Sequence, residues 1–212
     1  NLDIHCITFL YNTNPKKITA EIERITDYRQ RKINLKTRIK KLEKSDLEKH
    51  KRELAELKER YTLGKIDFES VVIADFGESL KSVLTSFTYA DVSNEEVQFF
   101  AFNQWFDESL FNETSFQNLI FPGIDLINFN KFNKRYFKKF NEPAIEISIL
   151  AYDAMGLIYL IWNNNKSNFK IDKVSTKSGF KGLHGEFIIK NNLSYQNLKI
   201  YKIIEKKFVK IN

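Results

Sequence analysis

Three glycines near the C-terminal end of the chain have a spacing that could bind phosphate. Gly179, Gly182 and Gly185 stand in the stretch SGFKGLHGEF, and they are three of only seven glycines in 212 residues. A phosphate-binding loop needs a strand before it and a helix after it, so that the helix N-terminus faces the anion. Here β-type runs follow the glycines, and the order is reversed. The pattern therefore favours a tight turn into a hairpin.

Other signatures of catalysis are weak. Ser178-x-x-Lys181 and Ser167-x-x-Lys170 match the S-x-x-K pattern of serine acyl-enzymes. With the 13 serines and 27 lysines of this chain, about two such matches are expected by chance. The chain has no G-x-S-x-G, H-E-x-x-H or Walker sequence. We therefore predict a protein that is not an enzyme.

The metal-ligating residue types are too sparse to form a site. His5 and Cys6 are adjacent on a predicted strand, so their side chains point to opposite faces and cannot chelate one ion. His50 and His184 have no companions at ligand spacing. We expect no metal and no cofactor, and a single cysteine leaves the redox compartment open.

Strand and helix patterns alternate along most of the chain, and this alternation predicts an α/β fold. Short apolar runs predict strands at 4–12, 70–77, 97–105 and 118–123. Helical patterns predict helices at 78–87, 128–141 and 144–162. The arrangement is typical of a parallel sheet with helices on both faces. The final runs, GEFIIKNN, LKIYKIIEK and KFVKIN, predict a small antiparallel C-terminal finish.

The carboxyl ends of the predicted strands carry polar and aromatic side chains. Ligands of open parallel sheets bind outside these ends, and amide, carboxylate and aromatic groups together are typical of small-ligand sites. The alternative is that Phe76 and Trp105 are core residues that cap the sheet. The candidate ligand-binding residues at this edge are Tyr11, Asn12, Asp75, Phe76, Gly77, Asn103, Gln104, Trp105, Pro122 and Gly123.

The net charge of +7 is concentrated in one segment. Residues 16–66 hold 17 Lys+Arg against 9 Asp+Glu, whereas the rest of the chain is nearly balanced. Thr19 is a candidate helix cap, and the SDLE sequence that starts at Ser45 reads as a capping box for a second helix. One straight helix from Thr19 to Thr62 would be about 66 Å long, so we predict a helical hairpin.

The predicted domains follow from this hairpin. Residues 19–62 form a basic helical hairpin insertion, and residues 1–18 and 63–212 form the α/β lobe with its crossing segments. Interleaved Lys and Glu in the hairpin are typical of a solvated helical face, and an interaction arm is the alternative. No aromatic residue lies between Tyr28 and Tyr61 to stack on bases, so we expect no nucleic-acid partner.

The longest apolar stretch does not read as a membrane span. Residues 144–162, AIEISILAYDAMGLIYLIW, include Glu146 and Asp153. A stretch of this length with two acids favours a helix buried in a protein core. We therefore predict no transmembrane segment in this chain.

Six stretches in order resemble one family. ITDYRQRK, FESVVIADFGESL, FFAFNQWFDESLF, NLIFPGID, FNKRYFKKFNEPAIEISILAYDAMGLI and SGFKGLHGEFIIKNN are similar to successive segments of type I periplasmic binding proteins with the leucine-binding-protein domain. The most similar subgroup is the α-proteobacterial lipoproteins described as penicillin-binding-protein activators, which resemble ABC-transporter substrate-binding proteins. The resemblance covers nearly the whole of this chain. It corresponds to only the C-terminal part of the family's proteins.

The resemblance implies two functions. The first is a non-enzymatic periplasmic binding protein whose C-terminal lobe recognises a small ligand, such as an amino acid, a peptide or a muropeptide. The second is a penicillin-binding-protein activator-like scaffold that regulates peptidoglycan synthesis by contacting a peptidoglycan synthase. Both imply a periplasmic location, with a lipoprotein anchor in an N-terminal part outside this sequence.

Three positions depart from the family pattern. Amino-acid-binding members have a glutamate just after the second strand of this lobe, and our alignment places Gln104 there. A neutral amide cannot supply the charge that pairs with a ligand ammonium, so an ordinary leucine-type ligand is not expected. Asn103 and Asn141 stand where the subgroup tends to have glycine.

Overall fold

The computed structural model describes residues 5–11, 14–45, 47–102, 106–145, 147–165, 168–175 and 179–211. Six α-helices are present in these ranges: α1 Pro15–Ile25, α2 Tyr28–Leu42, α3 Glu48–Lys58, α4 Gly77–Tyr89, α5 Leu126–Phe140 and α6 Ser148–Asn164. The strands are β1 Ser70–Ile73, β2 Gln98–Ala101, β3 Ile120–Gly123, β4 Phe180–Lys181, β5 Glu186–Lys190, β6 Leu193–Gln196, β7 Lys199–Ile204 and β8 Lys207–Lys210.

The strands form two sheets. The larger sheet has the strand order β1-β2-β3-β7-β8, in which β1 pairs with β2 and β2 with β3 in parallel. The smaller sheet, β4-β5-β6, is antiparallel. The predicted α/β fold with a mostly parallel sheet is confirmed. None of the helices in the described part of the chain has the length and apolar character needed to cross a membrane.

The chain divides into two compact units. Unit 1 comprises Asn1–Phe102, Ser109–Ile120 and Ile203–Lys207, and unit 2 comprises Asn103–Glu108, Phe121–Lys202 and Phe208–Asn212. This division differs from the predicted domains, whose boundaries at 18/19 and 62/63 remain a prediction.

Several predicted elements need correction in unit 1. Residues 5–11 form no strand, and Ile7 and Leu10 are 64% and 93% exposed. An apolar run favours a strand only where a neighbouring strand supplies hydrogen bonds, and none does so for these described residues. Helix α1 begins before Thr19, because Pro15 occupies its first turn and the Asn14 side chain accepts a hydrogen bond from the Lys16 N–H at 3.0 Å.

The predicted helical hairpin corresponds to three helices. The chain turns between α1 and α2, where Asp27 has a left-handed φ of 48°. Helix α3 begins at Glu48 with Leu47 at its N-cap, so Ser45 lies too early to cap it, and the Ser45 hydroxyl instead hydrogen-bonds the His50 ring at 2.6 Å. Helices α2 and α3 pack on each other through an apolar cluster of Leu35, Leu42 and Leu57, with Ile39, Leu54 and Leu63 around it.

A buried arginine ties this helical pair to helix α4. Arg31 is 4% exposed, and its guanidinium donates to the Ala90 and Asp91 carbonyl oxygens at 3.0 and 2.8 Å. It also donates to the Thr62 hydroxyl at 2.8 Å, which in turn donates to the Asp91 carboxylate at 2.5 Å. The two carbonyls lie at the C-terminal end of α4, where helix carbonyls lack intrahelical donors and attract a cation.

In unit 2 the glycine segment packs against helix α6. The Asp153 carboxylate, on α6, accepts hydrogen bonds from the Leu183 and His184 N–H groups at 2.9 and 2.8 Å and also contacts the His184 ring. A Cβ atom on Gly182 would overlap that carboxylate. The segment is therefore a tight turn that feeds strand β5, which agrees with the structural interpretation of the glycines.

Helix α6 itself differs from the expected buried helix. It begins at Ser148 and buries one stripe, in which Leu157 and Ile161 pack against Phe187 of β5. The opposite side is exposed at Tyr152, Met155 and Tyr159. Apolar composition predicted burial on all sides, but Met155 and Tyr159 are mostly exposed, and Tyr152 is covered only in part by the Phe132 ring, whose centroid is 5.4 Å from its own.

We expect Arg31→Met to lower the free energy of unfolding by at least about 2–3 kcal/mol, because it leaves buried acceptors without a donor. Arg31→Lys keeps the positive charge but lacks the planar guanidinium, so it should lower the free energy of unfolding by less than Arg31→Met does. Arg29→Met is the control, since Arg29 is 84% exposed in its pair with Glu23. Urea denaturation followed by circular dichroism measures all three, and equal losses for Arg29 and Arg31 would contradict this role.

Two glycine substitutions should have opposite effects on stability. Gly182→Ala places a methyl group against the Asp153 carboxylate, so we expect a loss of roughly 1–3 kcal/mol from overpacking. Gly156→Ala, on α6, meets nothing within 4 Å, and should stabilise by about 0.5–1 kcal/mol through helix propensity. Thermal unfolding of both variants tests this, and a neutral Gly182→Ala would show that the turn tolerates a side chain.

Candidate functional site

Two candidate residues meet at the carboxyl end of strand β1. The Tyr11 hydroxyl donates to the Asp75 carboxylate at 2.8 Å, and the Phe76 N–H donates to the other oxygen of that carboxylate at 2.8 Å. Both side chains are half-buried. The structure thus brings together Tyr11 and Asp75, which are 64 residues apart in sequence.

Burial and polar contacts together set the ionisation of this pair. Burial of Asp75 raises its pKa, but the nearby Ser79 hydroxyl and the hydrogen bonds from the Phe76 N–H and Tyr11 together outweigh burial, so the pKa lies below the ordinary value of 3.8. Burial, followed by the bond to Asp75 and its charge, raises the pKa of Tyr11 well above its ordinary value. At neutral pH the pair is therefore a carboxylate held by a neutral phenol.

The next two candidates begin helix α4. Phe76 is 75% exposed, so its ring is not a core residue that caps the sheet. Gly77 has a φ of 57° and open space around the position of a Cβ atom. An exposed aromatic ring beside a carboxylate gives this edge of β1 both a stacking surface and a hydrogen-bond acceptor.

Pro122 and Gly123 lie in strand β3. The position of a Cβ atom on Gly123 would be 3.2 Å from both the Phe106 and the Tyr201 rings. Gly123 therefore lets two aromatic rings approach the strand backbone, and it contributes space rather than a binding group. Asn12, Asn103, Gln104 and Trp105 are outside the described residues.

A cavity of about 460 Å³ opens in unit 2. Its volume is in the range of sites for small molecules. Phe106 and Phe129, which are both buried, contribute aromatic rings to its lining. The remaining lining residues are Glu108, Leu126, Asn130, Asn133, Pro143, Ala144, Ile145 and Phe208.

Polar groups in this lining are few and distinct. Glu108 is the one ionisable side chain among the described lining residues. The Asn133 side chain accepts a hydrogen bond from the Ala144 N–H at 2.8 Å, which joins helix α5 to the segment that precedes α6. Phe106 also stacks on Phe129 and meets Tyr201 edge-on, so the aromatic side of the cavity is fixed by neighbouring rings.

Sequence reasoning missed every residue of this cavity. The prediction used strand ends, whereas the cavity is lined by helix α5, by the stretch 143–145 and by Phe208. In the sequence, Asn130 and Asn133 stand between the aromatic residues of the predicted helix 128–141. These polar residues were the available signal for a site along that helix. No group of residues that could hold a metal ion occurs in the ranges that the structure describes.

Sequence comparisons find no match, whereas structural comparison finds proteins of similar fold. No protein-family profile matches the chain, and no curated protein matches it. A Rhodospirillum rubrum protein described as a branched-chain amino acid ABC transporter has a TM-score of 0.57 and 11% identity, over 68% of this chain and 44% of that one. The chain has a type I periplasmic-binding-protein fold. The resemblance inferred from the sequence is confirmed at the level of the fold.

Two other solved structures are similar with lower scores. The leucine binding protein LivK of Thermotoga maritima has a TM-score of 0.49 and 13% identity, over 68% of this chain and 43% of that one. Haemophilus influenzae LpoA has a TM-score of 0.48 and 10% identity, over 80% of this chain and 34% of that one. The chain thus spans less than half the length of these proteins.

The Tyr11–Asp75 bond should make stability depend on pH at both ends of the scale. Tyr11→Phe removes one hydrogen bond, so we expect a loss of about 0.5–1.5 kcal/mol near neutral pH. The lowered pKa of Asp75 means that its contribution is present above pH 3.8 and is lost as pH falls through the folded-state pKa. The raised pKa of Tyr11 means that its contribution is present below pH 10.0 and is lost as pH rises further.

Urea denaturation of wild type and Tyr11→Phe across this pH range measures the difference. Tyr61→Phe is the control because Tyr61 is 76% exposed. A difference that stays constant at acid and alkaline pH would contradict the coupling of Tyr11 to Asp75.

Proposed function

We propose that this chain is a lobe of a non-enzymatic solute-binding protein and that it holds part of a small ligand in the cavity of unit 2. The observation that carries the proposal is this cavity, in a chain with a type I periplasmic-binding-protein fold. Fold alone does not determine function. The lining supplies the chemical argument.

The lining favours a ligand with an apolar body and an amine. Phe106, Phe129 and Ile145 offer apolar surface, and the Glu108 carboxylate offers a partner for an ammonium group. No cationic side chain is among the described lining residues. A ligand carboxylate would find no opposite charge there, so a free amino acid fits less well than a peptide N-terminus or an amino-acid amide.

This ligand class refines the expectation from sequence. The absence of a glutamate at position 104 argued against an ammonium ligand, but Glu108 lies four residues further along and lines the cavity. The similar Rhodospirillum rubrum protein is described as a branched-chain amino acid transporter. An apolar side chain next to an ammonium group is common to that ligand class and to the one proposed here.

The strand-end residues form a second part of the proposal. We propose that Tyr11, Asp75, Phe76 and Gly77 form a ligand-binding edge within unit 1. A ligand-binding role also stays a proposal for Asn12, Asn103, Gln104, Trp105, Pro122 and Gly123. We also propose a periplasmic location and a lipoprotein anchor. The chain spans only 44% of the length of the similar Rhodospirillum rubrum protein.

The scaffold alternative concerns a different part of unit 1. A penicillin-binding-protein activator-like protein would contact a peptidoglycan synthase through helices α1–α3. The basic composition of α2 favours a contact with another macromolecule. The two functions use separate surfaces, and one protein can have both.

Calorimetry of the complete protein with three matched compounds tests the ligand class. Leucinamide has the amine and the apolar side chain, N-acetyl-leucinamide lacks the charge, and leucine adds a carboxylate. We expect leucinamide to bind, and Glu108→Gln to weaken its binding by about 10- to 100-fold, because a charged hydrogen bond contributes about 1.5–3 kcal/mol. Failure of all three compounds to bind would refute the proposed ligand.

Two further variants separate the cavity from general charge effects. Ala144→Trp fills the cavity and should abolish binding while the protein remains folded by circular dichroism. Glu95→Gln, which removes an exposed carboxylate of unit 1, should leave the affinity unchanged. Equal effects of Glu95→Gln and Glu108→Gln would show that net charge, and not the cavity, controls binding.

A further inference from the structure

Helix α2 carries seven basic residues and no acidic residue among its fifteen, YRQRKINLKTRIKKL. We propose that the exposed lysines of α2 form a docking surface for an acidic segment of a partner protein. This surface is defined by Lys32, Lys36, Lys40 and Lys41, and it is separate from the cavity of unit 2.

The three arginines of α2 have partners within unit 1. Arg31 is buried against helix α4, Arg29 pairs with Glu23 at 3.3 Å, and Arg38 pairs with Glu53 at 2.6 Å. The arginines therefore stabilise the fold. Among the described residues no ion pair reaches Lys36, Lys40 or Lys41, and Lys32 donates to the Tyr28 hydroxyl at 3.3 Å, so these exposed lysines have no ion-pair partner within unit 1.

Lys36 and Lys40 are exposed, and no ion pair reaches either of them within the part of the chain that the structure describes. Lys32, also exposed, lies over the Tyr28 ring, 5.1 Å from its centroid. The three lysines are four residues apart, so their side chains are neighbours on one side of the helix. Like charges at this spacing destabilise a helix, and an anionic partner would remove that repulsion.

The apolar residues of α2 argue for a protein and against a membrane. Leu35, Ile39 and Leu42 pack in the cluster shared with α3, so they cannot insert into lipid. Ile33 is exposed beside the lysines and offers one apolar contact. A helix that binds lipid needs a wide apolar face, whereas an apolar residue within a charged rim is typical of protein interfaces.

The rigid attachment of α2 supports the same conclusion. Arg31 holds the helix backbone to the end of α4, and the Arg31 carbonyl accepts a hydrogen bond from the Leu63 N–H at 3.0 Å. The lysine side chains therefore project from a helix that is ordered before binding. Carboxylates at four-residue spacing on a partner helix would match the spacing of the lysines.

Fluorescence anisotropy with the full chain tests this proposal. The probe is a labelled helical peptide with glutamates at four-residue spacing. We expect Lys36→Glu to weaken its binding about fivefold or more, and the affinity to fall as salt is raised. Lys36→Glu also places an acid between Lys32 and Lys40, so the helix should be at least as stable as in the wild type.

Lys134→Glu is the matched control, since Lys134 is an exposed lysine of helix α5 with Lys138 four residues later. It changes the net charge by the same amount and should leave peptide binding unchanged. Equal weakening by both variants, or no weakening by Lys36→Glu, would overturn the proposal. Tighter binding to phosphatidylglycerol vesicles or to duplex DNA than to the peptide would also overturn it.

Discussion

The guanidinium of Arg31 is the interaction on which the arrangement of unit 1 depends. Arg31 is the one buried lysine or arginine among the described residues, and its partners come from three separate segments: the end of α4, the Thr62 region and the end of α1. Burying a charge is costly unless hydrogen bonds compensate it, and these partners bind both terminal nitrogens of the guanidinium, although the buried Nε has none. The helices and the segment after α3 must therefore meet at this point, and the exposed face of α2 is oriented as a result.

Unit 2 is organised by a buried carboxylate and by aromatic packing. Asp153 accepts two backbone hydrogen bonds from the glycine segment, and Gly182 provides the space that this close approach requires. Around Phe106, aromatic rings from β3, α5, β7 and β8 pack edge-on and stacked. Rings held this way fill the space on one side of α5 and leave a cavity along it. The same aromatic packing therefore stabilises unit 2 and shapes the candidate binding cavity.

Local patterns predicted some elements and failed at others for identifiable reasons. The alternation of strands and helices after residue 63 is confirmed in β1, α4, β2, β3 and α5. Asn141 adopts a left-handed φ of 58° at the end of α5, as asparagine can. The strand predicted at 4–12 is wrong for the described residues, because apolar character alone does not supply a pairing partner. The apolar composition of α6 likewise gave no indication that one side of this helix is exposed.

The sequence by itself determined the order of the main elements, the α/β class and the turn at the glycines, because periodicity and glycine content act over a few residues. Tertiary structure alone decided that Arg31 is buried while Lys36 is exposed, although both are basic residues of one helix. It also decided that Asp75 meets Tyr11 and that Phe106, Asn133 and Ala144 line one cavity. Such pairings join residues far apart in the chain, and their formation depends on how whole elements pack against each other.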